Sequence, residues 1–230
     1  MKTIGLIGGM SWESSVVYYR LINEGVRSRL GGLHSAQCLM HSVDFGEVEP
    51  LQHGGRWEEA AQQMIEAARH LQDGGADFLI LCTNTMHKTA DRIVQDIEIP
   101  FLHIADATAD AVKQRDIKRV GLLGTRFTME DSFYRGRLVA RHGLEVVVPE
   151  ADQQNTVHEI IYDELCIGRI EQESKQKYLD IIDDLVQRDV EGIILGCTEI
   201  GLLISQEDCT IPVFDTTRIH AEAAVNYALS

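Results

Sequence analysis

Glu191-Gly192-Ile193-Ile194-Leu195-Gly196-Cys197-Thr198-Glu199 decides the fold when it is set beside Asp77-Phe78-Leu79-Ile80-Leu81-Cys82-Thr83-Asn84-Thr85. Each segment is an acidic residue, a short apolar run and a small polar tail, the pattern of a buried parallel strand that ends in a loop. Cys197 lies 114 residues after Thr83. Two further segments recur at nearly that spacing. Arg119-Val120-Gly121-Leu122-Leu123-Gly124-Thr125 repeats the pattern of Thr3 to Gly9, with Val120 falling 116 residues after Ile4. Ile211-Pro212-Val213-Phe214-Asp215 repeats Ile99-Pro100-Phe101-Leu102-His103 at a spacing of 112. One such match expresses only the strand–glycine–helix grammar of α/β proteins. Three in the same order at one spacing indicate two similar halves.

The intervening segments are helical. Ser11 is a candidate N-cap for a helix carrying Val16, Tyr19, Leu21 and Ile22. Cys38 to Val43 reads as a second strand. Glu58 to Leu71 reads as a helix with Ala61, Met64, Ile65, Ala68 and Leu71 on one face, ended by Gly74-Gly75. Strands alternating with helices predict parallel sheets covered on both faces. The expected fold is therefore α/β: two similar parallel-sheet, Rossmann-like halves related by a pseudo-twofold axis. Residues 1–98 with 211–230 form one half and 99–210 the other. Ligands of open α/β sheets bind at the carboxyl ends of strands, so the expected site lies in the cleft between the halves, with Thr83 and Cys197 on opposite walls.

Composition narrows the function. The 230 residues are 44% hydrophobic and 25% charged, with a formal net charge of −15. Such a surface disfavours a nucleic-acid partner, which needs basic groups to neutralise phosphate. No apolar run reaches membrane-spanning length, and Ile4 to Gly9 is too short and glycine-rich for a signal peptide; a cytoplasmic protein with no membrane partner is expected. The five cysteines are odd in number and contain no CxxC pair, so free thiols are expected. The nine histidines show no metal-ligand spacing, and no metal is expected; His87, His103 and His220 read as cap or surface residues. Neither GxGxxG nor GxxxxGK[ST] nor GxSxG occurs, so Gly8-Gly9-Met10-Ser11-Trp12 is not a nucleotide loop.

The chemistry concentrates in the repeated strand ends. A thiol directly after an apolar strand and a glycine, as at Cys197, sits where backbone N–H groups can point at it and favour the thiolate; the alternative is an inert structural cysteine. Thr198 and Glu199 can orient a substrate. Thr83, Asn84 and Thr85 offer hydroxyl, amide and helix-start N–H groups suited to an α-carboxylate, and equally to an N-cap turn. Two related halves carrying one polar residue each also suit a reaction whose substrate and product are mirror images.

Gly5-Leu6-Ile7-Gly8-Gly9-Met10-Ser11-Trp12-Glu13-Ser14, Asn84-Thr85-Met86-His87 and Gly196-Cys197-Thr198-Glu199 together resemble the aspartate/glutamate racemases, over essentially the whole chain. The resemblance implies a cofactor-independent, pyridoxal-phosphate-free isomerase acting on an acidic amino acid, with one thiol removing the α-proton and a second group reprotonating the opposite face. The family's first cysteine position is Thr83 here. Cys82 stands one residue earlier, where strand alternation turns it to the other face. Cys197 is then the base for L-substrates and Thr83 the group acting on the D side, which implies an L preference. Asn84, Thr85, Thr198 and Glu199 are implied substrate contacts, as are Met10 and Gln52. Val48 and Cys166 fall near segments where some members carry basic residues, so a hydroxylated or neutral amino acid remains an alternative. Members tend to be homodimers. Hydantoin racemases, maleate isomerases and malonate-type decarboxylases share the architecture, and a two-lobed amino-acid-binding protein without turnover is the non-enzymatic alternative.

Overall fold

A computed structural model describes all of Met1 to Ser230. The chain divides into two compact units, Met1–Ile104 with His220–Ser230, and Ala105–Ile219. The first unit contains β1 (Ile4–Gly8), α1 (Trp12–Leu30), β2 (Cys38–Ser42), α2 (Phe45–His53), α3 (Trp57–Asp73), β3 (Phe78–Leu81), α4 (Ala90–Gln95) and β4 (Phe101–Leu102). The chain leaves it at the start of α5 (Ile104–Lys113). The second unit follows with β5 (Arg119–Gly124), α6 (Arg126–Glu130), α7 (Arg135–His142), β6 (Glu145–Val147), α8 (Ala151–Asp163), α9 (Gln172–Val186), β7 (Gly192–Gly196) and β8 (Val213–Asp215). Helix α10 (Thr216–Leu229) carries the chain back.

Each unit holds a four-stranded sheet, ordered β2-β1-β3-β4 in the first and β6-β5-β7-β8 in the second. Every pairing is parallel. The registers match residue for residue at the spacings read from the sequence. Ile4 pairs with Phe78 and Leu79 with Phe101; Val120 pairs with Gly192 and Ile193 with Val213. The two strand ends bearing Thr83 and Cys197 are therefore equivalent places in two equivalent sheets.

The division between the units falls later than the expected boundaries at 98/99 and 210/211. Those boundaries place each Ile-Pro segment at the opening of a half. In the structure each closes the sheet of the preceding strands: Pro100 accepts from Leu79 N–H and Pro212 from Ile193 N–H, both at 2.8 Å. Proline lacks a donor, yet its carbonyl still joins a ladder when it opens an edge strand.

Strand alternation sets the first unit's core. Ile4, Leu6, Phe78, Ile80 and Cys82 pack with Tyr18, Ile22 and Val26 of α1 and Ala221, Ala224 and Val225 of α10. Ile7, Leu79 and Leu81 face the opposite way, onto Met64, Ala67, Ala68 and Leu71 of α3. Each fully buried Leu, Ile or Val contributes ~1.5–3 kcal/mol. Helix α1 turns Ser14, Ser15, Tyr18, Ile22 and Val26 inward, so that of the residues marking its helical pattern Ile22 is buried while Val16 and Tyr19 are more than half exposed. Ser11 stands at the N-cap position without a side-chain cap bond; its carbonyl instead accepts from the Ser14 and Ser15 hydroxyls. No helix is long and apolar enough to cross a membrane.

Candidate active site

In the first unit the site residues come from three elements gathered at the carboxyl end of the sheet. The parallel register sets Ile7 beside Leu81, so the loops leaving β1 and β3 start side by side. Gly9 permits the first loop: its φ is +97°, and a Cβ there would lie 2.2 Å from the Val43 carbonyl oxygen. Met10, Val48, Leu51 and Met86 share one apolar cluster, which joins this loop to α2 and to the 3-10 turn Thr85–Thr89. Met10, Gln52, Thr83, Asn84 and Thr85 are all buried, none more than 6% exposed. Val48 is buried among apolar neighbours and supplies no charge.

Cys82 is enclosed by the apolar cluster beneath α1 and α10. Burial, and secondarily the charge of Cys38, push its thiol far above the ordinary range. Its inertness follows from strand parity, since Phe78, Ile80 and Cys82 share the face that Leu79 and Leu81 do not.

Thr83 is held through its backbone. His87 Nδ1 lies 2.6 Å from the Thr83 carbonyl, and His87 Nε2 accepts the Ile104 N–H at 3.2 Å. One nitrogen must donate and the other accept, so the imidazole is neutral and carries its hydrogen on Nδ1. Its ring packs against His103 at a 4.5 Å centroid distance and against His220 at 6.0 Å. His220 makes the same two-ended bond, accepting from the Tyr18 hydroxyl and donating to the Leu102 carbonyl, both at 2.9 Å. Burial lowers its pKa to about 4. The expectation of cap or surface histidines is thus corrected: His87, His103 and His220 are 2%, 8% and 0% exposed. Fixed-spacing motifs carry no sign of this cluster, because its members come from the turn after β3, the end of β4 and α10.

In the second unit Cys197 follows β7 directly. Gly124 and Gly196 pair in register, and a Cβ on Gly196 would lie 2.9 Å from the Leu123 carbonyl oxygen, so glycine is required for the strands to close beneath the thiol. The loop that follows is tied down by α10: Thr216 donates its hydroxyl to the Leu195 carbonyl at 2.7 Å, and Thr217 donates to the Thr198 carbonyl at 3.2 Å. Asp215 caps the same helix start through Thr217 N–H and Arg218 N–H.

The Cys197 thiol donates to Glu199 Oε2 at 3.0 Å, and the Thr198 hydroxyl donates to the same oxygen at 2.8 Å. Cys197, Thr198 and Glu199 are 7%, 5% and 2% exposed. The sequence reading expects a lowered thiol pKa here; the structure reverses the direction. Burial raises it well above the ordinary value, the Glu199 charge and Cys166 add to the rise, and the Glu199 backbone N–H opposes it. The donor expected to stabilise a thiolate is present, but desolvation and a carboxylate outweigh it. Tyr178 lies within electrostatic reach of Cys197, Cys166 and Glu199, with its hydroxyl on the Val157 carbonyl at 3.2 Å.

Comparison with known proteins accords with this arrangement. The Asp/Glu/Hydantoin racemase family matches residues 7–224. A Yersinia pestis crystal structure provisionally assigned as an Asp/Glu racemase is 54% identical over the whole of both chains, with a TM-score of 0.92. An aspartate racemase homologue from Pyrococcus horikoshii is 33% identical over the whole of both, with a TM-score of 0.86. A broad-specificity amino-acid racemase of Bacillus subtilis is 24% identical, covering 99% of this chain and 98% of its own. The repeated sheets, their matched strand ends and the thiol on one of them are thus the features of a chain that belongs to the Asp/Glu/hydantoin racemase family.

Proposed function

We propose that this racemase acts on aspartate or glutamate without a cofactor, prefers the L-enantiomer, and works in the cytoplasm. Cys197 removes the α-proton of the L-substrate, and the Thr83 hydroxyl, assisted by water, delivers a proton to the opposite face. The observation that carries the reading is the register equivalence of the two strand ends, one bearing a thiol hydrogen-bonded to a carboxylate and the other a hydroxyl. Racemisation needs one group per face of Cα, and a duplicated sheet supplies one per half. Asn84, Thr85 and Thr198 hold the α-carboxylate and ammonium, with Met10 and Gln52 against the remainder of the substrate.

The L preference follows from unequal bases. A thiol is a far better base than an aliphatic hydroxyl near neutral pH. Taking a proton from the L-substrate falls to Cys197, whereas the D-substrate relies on Thr83. A second reading, a neutral or hydroxylated amino acid as substrate, is favoured by one observation: Val48 is fully buried in an apolar cluster and supplies no cation for a side-chain carboxylate.

The test is α-proton exchange in deuterated water on L-aspartate, L-glutamate and L-homoserine, followed by NMR, with chiral chromatography for the D-isomer. Replacement Cys197→Ser is expected to lower exchange by about 10³-fold. Exchange on L-homoserine alone selects the second reading. A Cys197→Ser protein that exchanges like the parent sinks the thiol mechanism, and a parent without exchange on any of the three sinks the racemase assignment to these substrates.

A further inference from the structure

A thiol that serves as a base must first lose its own proton, and Cys197 has one acceptor in place. Glu199 Oε2 stands 3.0 Å from the sulfur, in a loop whose Thr198 carbonyl is held by Thr217, while Thr216 holds the Leu195 carbonyl at the end of β7. The carboxylate is 2% exposed, so the hydrogens of its two immediate donors are the ones it meets first. It takes the Thr198 hydroxyl at 2.8 Å through the same oxygen, so that one atom gathers both hydrogens beside the reactive sulfur. The sequence reading makes Glu199 a substrate contact; its geometry points instead at the sulfur.

We propose that Glu199 is the proton acceptor of Cys197, taking the thiol hydrogen as the substrate's α-hydrogen is approached and giving it up to water at the end of the turnover. The inference rests on the racemase reading. The S–H bond breaks and an O–H bond forms on Glu199, leaving the electron pair on sulfur. The thiolate then takes the α-hydrogen, and the Cα–H pair stays on the substrate as a carbanion conjugated with its carboxylate. Taking the α-hydrogen itself restores the thiol; the far face receives its proton from the Thr83 hydroxyl, water reprotonates Thr83, and the hydroxide so formed takes the Glu199 proton and restores the carboxylate. Protons balance, and no oxidant or co-reactant is needed. The first transfer, from sulfur to carboxylate, moves charge across a single hydrogen bond, which suits a buried site.

Glu199→Gln separates this role from others. The other groups whose charge couples to the thiol are Cys166 on the turn after α8 and Tyr178 on α9; they are unchanged in the variant. Two readouts are taken across pH 6–10: α-proton exchange on L-aspartate and L-glutamate, and the alkylation rate of Cys197 by iodoacetamide, followed on its own peptide by mass spectrometry. With the carboxylate gone, the thiol ionises more easily, so the alkylation midpoint moves to lower pH while exchange falls about 10²-fold. Glu199→Asp keeps the carboxylate at shorter reach and restores part of the exchange. A fall in exchange with an unmoved alkylation midpoint overturns the proposal and assigns Glu199 to the substrate. Exchange within twofold of the parent also overturns it. Should the parent itself exchange neither amino acid, the racemase reading fails, while the alkylation midpoint still decides whether Glu199 governs the thiol.

Discussion

The loops after β3 and β7 occupy the same place in two sheets of identical register, yet they are held by opposite means. At Thr83 the anchor is on the backbone: a neutral imidazole takes the carbonyl and leaves the side chain to its task. At Cys197 the anchor is on the side chain itself, a carboxylate on the sulfur, while hydroxyls from α10 fix the neighbouring carbonyls. Duplication has preserved where the chain presents a residue and not what surrounds it. Position is set by strand pairing, which tolerates side-chain change; reactivity is set by one or two neighbours, which need not be repeated.

The contrast has a pH signature, and it gives the largest expected effect after loss of the thiol. Where the second unit buries a carboxylate, the first buries the His87 imidazole against a second one, His220. The pKa of His220 is lowered from 6.5 to about 4 in the folded state. Its stabilising contribution is whole above pH 6.5 and is lost as pH falls towards about 4, because the unfolded chain binds the proton more readily. The difference corresponds to ~3 kcal/mol. Chemical denaturation at pH 7 and pH 4.5 is expected to show the loss, and His220→Gln to flatten that part of the profile while lowering stability at pH 7. An unchanged slope in the variant would place the acid sensitivity elsewhere.

A smaller effect is expected from making the two loops chemically alike. Thr83 is 5% exposed, and Thr83→Cys nearly conserves its volume. The substitution is expected to raise exchange on D-substrates by about 10–100-fold, because a thiol replaces a poor base, with a much smaller change on L-substrates. The measured quantity is the ratio of D to L exchange. A ratio unmoved by the variant would mean that Thr83 does not serve the D side.

Much of this contrast was legible in the sequence, and the limits are physical. The duplication, the parallel sheets and the two strand ends follow from apolar runs, which report burial directly. The seclusion of Cys82 follows from period-two alternation. The Ile-Pro segments were harder, since proline marks the start of an edge strand and a domain break alike. The thiol's raised pKa escaped because the helpful N–H is local in sequence, while desolvation depends on everything packed around it. Glu199 stood two residues from Cys197 throughout; only the turn after β7 shows that its carboxylate folds back on the sulfur. The histidine cluster joins residues as far apart as His87 and His220, which no local pattern connects.

The finest test of the comparison is His87, because it asks whether a backbone anchor matters to a side chain's work. Its Nδ1 side holds the Thr83 carbonyl and its Nε2 side the Ile104 N–H, where the chain leaves the first unit. Asparagine places an amide donor near Nδ1 and glutamine places an acceptor near Nε2, so the two variants each retain one end. If the Thr83 bond positions the hydroxyl, His87→Asn keeps most of the activity, and His87→Gln loses about 5–10-fold in kcat with KM little changed, the scale of one misplaced hydrogen bond of ~1–1.5 kcal/mol. The loss should be greater with D-substrates, whose proton Thr83 must take. Equal losses in both variants and in both directions would reduce His87 to a packing residue, and the two loops would then differ only in the atom they present.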